Sequence, residues 1–230
     1  MPHDSLRGKV AVVTGAAGGL GGGAARRLAR EGAHVVAVDL DGDRAERLAR
    51  ELGGGAIGVG ADVSREADVE RYVAAAVERF GRVDLHHLNA GIPGPLEPIG
   101  ELEAADFERV MAVNVTGVFL GLRAAFRQYA AQGTGGAIVV TSSIASLRGS
   151  ADLVAYHASK HAVLGLARCA AVYGGPLGVR VNVVAPGIVP TDLFAEAGDA
   201  TGGGGDMAQR ATTTPLRRPA APDEIGAVVA

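Results

Sequence analysis

Six short apolar runs, each closing on a glycine, a proline or a small polar residue, constrain this chain more than anything else in it. They are Val10 to Val13, Ala33 to Val38, Ala56 to Val59, Val83 to Leu88, Ala137 to Thr141 and Val179 to Ala185. All are short, and Val10 to Val13 is a β-branched run, which suits a strand buried on both faces. Between them lie helical patterns. One opens through Gly18 to Gly23 into Ala24 to Ala29, and others cover Arg44 to Leu52, Glu66 to Phe80 and Ala104 to Ala131, before a last one that carries Tyr156 and Lys160. Ser64 is expected to cap the helix that starts at Glu66. Strand and helix in alternation predict an α/β fold: one doubly wound parallel sheet with helices on both faces. The pattern implies one domain over residues 1–230, with a Gly-rich loop at about 188–214 and a helix begun at Asp223 that the chain does not finish.

Composition narrows the function classes. A formal charge of −3 provides no broad positive field, so neither nucleic acid nor an anionic membrane is expected as a partner. No uninterrupted apolar run approaches the length of a membrane span, and Met1 to Lys9 has no signal-peptide core. With one cysteine, Cys169, no internal disulfide forms, and a reducing cytoplasm is the expected setting. Its Ala-rich helical surroundings lead us to expect a buried, inert thiol.

The strand ends carry the chemistry. Gly15, Asp39, Asp62, Asn89, Ser143 and Pro186 all follow apolar runs, and in a doubly wound sheet ligands bind beyond the carboxyl ends of the strands. Gly15, Gly18, Gly19 and Gly21 allow the backbone to turn tightly and approach a pyrophosphate at a helix N-terminus. Asp39 stands 18 residues after Gly21, where a carboxylate accepts from both ribose hydroxyls of an adenosine and repels a 2′-phosphate. Leu40 and Gly18 bring no cation, so NAD(H) is favoured over NADP(H); Arg44 is the neighbouring cation that opposes this reading.

Tyr156 and Lys160 stand four apart, on one face of a helix. Making a phenol with a pKa of about 10 work near neutral pH takes a fall of roughly 3 units, or about 4 kcal/mol, and a neighbouring cation supplies part of it. His157 and His161 share the same spacing, but no third ligand accompanies them, and no metal is expected.

Taken together, Thr14-Gly15-Ala16-Ala17-Gly18-Gly19-Leu20-Gly21, Asn89-Ala90-Gly91, Asn114, Ser143, Tyr156-His157-Ala158-Ser159-Lys160 and Pro186-Gly187 resemble the classical short-chain dehydrogenase/reductase family. The resemblance implies a Rossmann fold and hydride transfer between NAD(H) and a small-molecule secondary alcohol or ketone. It further implies that Tyr156 is the acid/base, that Lys160 lowers its pKa and holds the nicotinamide ribose, and that Ser143 orients the carbonyl. Asn114 resembles the helix asparagine beside a proton-relay water. The cofactor set so implied is Gly15, Gly18, Gly19, Leu20 and Gly21 at the pyrophosphate, Asp39 and Leu40 at the adenosine ribose, and Asp62 and Val63 at the adenine. Asn89, Ala90 and Gly91 form the floor, and Ile188 and Thr191, after Pro186-Gly187, hold the carboxamide.

Leu88 stands where the family usually has a first Asn before Asn89-Ala90-Gly91. The C-terminus stops where family members add a seventh strand, so that strand is expected to be missing. Val113, Val118, Phe119, Leu122 and Phe126 are expected to form either core or a dimer face, and since the corresponding helix of the family pairs with its copy, the resemblance implies a homodimer or homotetramer. The segments Pro93 to Leu96, Ala145 to Leu153 and Leu193 to Thr214 are expected to wall a neutral substrate pocket. A non-catalytic NAD-binding sensor or structural subunit is the rival reading, and Ser143, Tyr156 and Lys160 together argue against it.

Overall fold

Valine and alanine build the middle of the molecule. In the computed structural model, which describes residues 6–191, 193, 212 and 214–230, β1 (Val10–Thr14) and β2 (His34–Asp39) lie side by side with Val12, Val13 and Val35 through Val38 wholly buried. They are followed by β3 (Ile57–Gly60), β4 (Leu85–Leu88), β5 (Gly136–Thr141) and β6 (Val179–Val184). All neighbours pair in parallel, in the order β3-β2-β1-β4-β5-β6. The expected strands are all present, with bounds moved by a residue or two. The order reverses between β1 and β4, and a crevice therefore opens at their carboxyl ends.

Helices cover both faces. α1 (Gly19–Arg30) and α2 (Gly42–Leu52) pack on one, where Ala25, Leu28 and Leu48 meet Val13 and Val35. α3 (Glu66–Phe80), α5 (Gly117–Ala131) and α6 (Val154–Gly174) pack on the other, around Tyr72, Val118, Leu122, Ile138 and Val163. α3 starts where expected, yet Ser64 does not cap it. Arg65 holds the N-cap position without a side-chain bond, and the Ser64 hydroxyl donates to Asp62 Oδ1 at 2.7 Å. The local Asp turn competes successfully for that hydroxyl.

The expected helix from Ala104 to Ala131 is continuous but not uniform. α4 (Ala104–Met111) widens into a π turn at Ala112–Thr116 before α5 resumes, and this turn buries Asn114 to 1% exposure. An 18-residue window of the same helix reaches a mean hydropathy of 1.3, the level of a membrane span by composition, because one face lies on the sheet; 44% of that window is buried.

α7 (Pro222–Val229) lies across α1 at two glycines: a Cβ at Gly226 would stand 2.7 Å from the Gly23 carbonyl oxygen, and one at Gly23 2.7 Å from that of Pro222. Cys169 corrects the sequence expectation. It is exposed, since α6 buries Tyr156, Lys160, Val163, Ala167 and Ala170, a stripe that leaves position 169 facing outward.

Candidate active site

A cleft of about 320 Å³ opens at the carboxyl ends of the strands. Its first wall is the turn after β1. Gly15 has φ +62°, and a Cβ there would stand 2.9 Å from Ala90 Cα. A Cβ on Gly21 would stand 2.1 Å from the Gly15 carbonyl oxygen, and one on Gly19 would stand 2.6 Å from Thr191 Cγ2. No side chain caps α1, whose first turn carries no acid. The turn is thus a backbone-lined cradle at a helix N-terminus, suited to an anion.

At the end of β2, Asp39 Oδ2 accepts from Ala17 N at 2.9 Å and Oδ1 from Asp41 N at 3.2 Å. Arg44 Nη2 donates to the carbonyl of that same Ala17 at 2.9 Å. Asp39, Leu40 and Arg44 all line the cleft, so an acid and a cation share its outer end. Sequence reasoning weighed Arg44 only as a flexible neighbour; α2, capped by Asp41, delivers it to the turn. Asp62 and Val63 line the next stretch, with Asp62 Oδ1 accepting from Ser64 N and Oγ.

The floor is tied from beneath. Asn89 Nδ2 donates to the carbonyls of Thr14 and Gly15 at 3.1 and 3.3 Å, and Thr141 Oγ1 donates to Asn89 Oδ1 at 3.1 Å. Thr14 Oγ1 accepts from the backbone of Asn89 and of Ala90, at 3.0 and 3.2 Å. Ala90 and Gly91 line the cleft beside it. Thr14 and Thr141 serve as joints here, a role that strand pattern alone did not reveal.

The inner end gathers Ser143, Tyr156 and Lys160. Ser143 leaves β5 in extended backbone, and its Oγ accepts from Ala145 N at 3.1 Å and shares a hydrogen bond with Tyr156. Burial pushes the Tyr156 phenol above its ordinary pKa, and the Ser143 hydrogen bond only partly offsets this. Lys160 Nζ sits 5.4 Å from the Tyr156 ring centroid and donates to the Thr141 carbonyl at 3.0 Å. Burial takes the Lys160 pKa down to about 8. Ser142 is engaged elsewhere, its hydroxyl donating to the Lys160 carbonyl at 3.1 Å.

Asn114 and Ile188 do not line the cleft. Asn114 clamps Ile92 from both sides, accepting from its N–H at 2.8 Å and donating to its carbonyl at 2.9 Å, and also donates to Ser159 Oγ at 3.0 Å. The Ile188 carbonyl accepts from Ala220 N. Pro186, Gly187 and Thr191 do line the cleft, with Ile92, Val113, Val189 and Leu193 adding apolar wall that the motifs did not mark. Most of the expected substrate loop at about 188–214 lies outside the described residues. His157 and His161 each turn Nδ1 to a backbone carbonyl, and among the described residues no group of three or more side chains is arranged to hold a metal.

The family model described as short chain dehydrogenase matches residues 9–202. The chain belongs to the short-chain dehydrogenase/reductase family. This oxidoreductase family includes levodione reductase of Leifsonia aquatica, 40% identical over 197 residues that cover 84% of this chain and 73% of that one. It also includes D-threitol dehydrogenase of Mycolicibacterium smegmatis, 41% identical over 225 residues, or 96% and 84% of the two chains. The crystal structure of levodione reductase superposes with a TM-score of 0.91 at 37% identity, covering 97% of this chain and 90% of that one. NAD⁺-bound xylitol dehydrogenase gives 0.90 at 34% identity, covering 97% and 91%. The cleft described above is therefore that of a short-chain dehydrogenase, and its glycine cradle and polar strand ends fit a dinucleotide.

Proposed function

We propose that this short-chain dehydrogenase transfers hydride between NAD(H) and a neutral secondary alcohol or ketone, with Ser143, Tyr156 and Lys160 as its catalytic residues. The observation that carries the reading is the hydrogen bond between Ser143 and Tyr156, made beside the buried Lys160 in the same cleft as the glycine cradle and Asp39. When bound, the cofactor supplies or accepts the hydride. The cradle would hold its pyrophosphate, Asp39 its adenosine ribose, and Asn89, Ala90 and Gly91 its inner half.

The protein's own residues manage one proton. Ser143 and Tyr156 present two hydroxyls to a single substrate oxygen, which fixes its position and stabilises charge building on it. In reduction the Tyr156 phenol gives its proton to that oxygen, and a pKa raised by burial keeps the phenol loaded at neutral pH. In oxidation the phenol must first lose that proton. Lys160, buried beside the Tyr156 ring, is the cation that favours the loss. Asn114 is a positioning residue: it steadies Ile92 and Ser159, and Ser159 Oγ donates to the Tyr156 carbonyl at 2.7 Å.

Asp39 supports NAD(H), since a 2′-phosphate would meet its negative charge. The apolar wall of Ile92, Val113, Val189 and Leu193 supports an uncharged substrate. The relative named cis-4-hydroxycyclohexanecarboxylate dehydrogenase adds an alicyclic ring to the substrates worth trying, though its own substrate carries a charge. The test is a panel of alicyclic alcohols and ketones, followed by absorbance at the reduced-nicotinamide band with each cofactor. Turnover with NAD(H) is expected, and turnover undiminished by Tyr156→Phe would overturn the assignment.

A further inference from the structure

One hydrogen-bond chain beneath the cleft fixes its own direction at every link. Asn89 Nδ2 donates to two backbone carbonyls, those of Thr14 and Gly15, so the opposite atom of the amide, Oδ1, is an acceptor. Thr141 Oγ1, 3.1 Å away, therefore commits its single proton to Oδ1. That hydroxyl can then only accept from His87 Nε2, which lies 2.9 Å from it. His87 must carry its proton on Nε2.

A separate observation agrees. His87 Nδ1 is buried and has no hydrogen-bond partner. An orphaned buried N–H, at a cost of roughly 1–3 kcal/mol, is the rarer arrangement in folded proteins, so a bare lone pair fits this position better. The other tautomer would strand that donor and also leave the Nε2 lone pair facing an oxygen with no proton to give. Burial holds the ring neutral, taking its pKa down to about 3.

The chain of bonds ends at the cofactor floor. The Thr141 carbonyl takes Lys160 Nζ while its hydroxyl holds Asn89, and the His87 carbonyl accepts from Thr14 Oγ1 at 3.3 Å. One imidazole thus sets the hydroxyl of the residue that joins the glycine turn to the buried ammonium.

We propose that His87, through an Nε2–H donated to Thr141, is a positioning residue for the dinucleotide: it holds Asn89 and the Gly15 turn in the geometry that binds. The proposal rests on the reading that the cleft takes a nicotinamide dinucleotide. His87→Leu keeps bulk but removes the donor, while His87→Gln keeps an N–H near the Nε2 position.

NADH binding, followed by the fluorescence of the bound nucleotide, is expected to weaken about tenfold in His87→Leu, the effect of losing roughly 1.4 kcal/mol, and to stay within about threefold in His87→Gln. ¹⁵N NMR of the histidine rings in the wild type, assigned by the signal lost in His87→Gln, is expected to show the Nε2–H tautomer unchanged from about pH 6 to 9. An Nδ1–H tautomer overturns the proposal, as does His87→Leu binding NADH like the wild type or His87→Gln weakening as much as His87→Leu. Should the leucine variant not fold, the tautomer and the glutamine variant decide. A wild type that binds no NADH instead removes the functional reading, and the tautomer still tests the direction of the chain.

Discussion

Lys160 Nζ donates to the backbone carbonyl of Thr141 across 3.0 Å, and this bond aims a buried ammonium from α6 back at the end of β5. The carbonyl is otherwise the last of its strand, so the pair closes the sheet against the helix at the point where Ser143 and Tyr156 meet.

Tyr156→Phe removes the proton donor and little else. The ring stays packed, and the variant is expected to bind NADH within about threefold of the wild type while turnover falls by about 10²–10⁴-fold, the span of general acid–base catalysis. Steady-state rates beside a binding titration separate the two effects.

Asp39→Ser takes the like charge away from the outer end of the cleft and leaves Arg44 there. NADPH affinity is expected to rise by about tenfold or more, and NADH affinity to fall, because Asp39 also holds the Ala17 and Asp41 amides. Adding Arg44→Ala should cancel the gain for NADPH. Dissociation constants for both nucleotides check the pair; no gain in the single variant would remove Asp39 as the selecting charge.

Two buried imidazoles make the fold sensitive to acid. Burial takes the His86 and His87 pKa values down to about 3, with His87 adding to the effect on His86, against an ordinary value of 6.5 that both recover on unfolding. Between those values the unfolded chain binds more protons than the folded one. Stability is therefore full above about pH 6.5 and lost as pH falls, by up to about 1.4 kcal/mol per pH unit for each ring. Thermal midpoints from pH 7 to 5 should fall, and less steeply in His87→Gln. A flat profile would show that the rings are not held neutral.

Gly226→Ala tests the crossing of α7 on α1. Its Cβ would stand 2.7 Å from the Gly23 carbonyl, and backbone on both sides has no room to give. A loss of about 1–3 kcal/mol is expected, read as a lower denaturant midpoint. An unchanged midpoint would mean that α7 does not hold this position in solution.

Tyr156, Lys160, Ser143 and the glycine turn were legible because each sits at a fixed offset from a strand end or along one helix face. The π turn at Ala112–Thr116 was not, since its residues read as ordinary helix and only its packing shows the widening. Gly23, read only as part of the glycine run that opens the first helix, proves to be where α7 approaches. Ser64, read as a cap, was claimed by the nearer carboxylate of Asp62.

Local periodicity determined the strands, the helices and thereby the cleft, because burial on one face or two imposes its period on consecutive residues. The bonds that give the cleft its electrostatics join residues far apart in the chain: Asn89 to Thr14 across 75 positions, His87 to Thr141 across 54. No local pattern records such partners. Which proton goes to which atom, how far burial moves Tyr156 and Lys160, and that Arg44 faces Asp39 across Ala17 were decided only when the sheet brought them together.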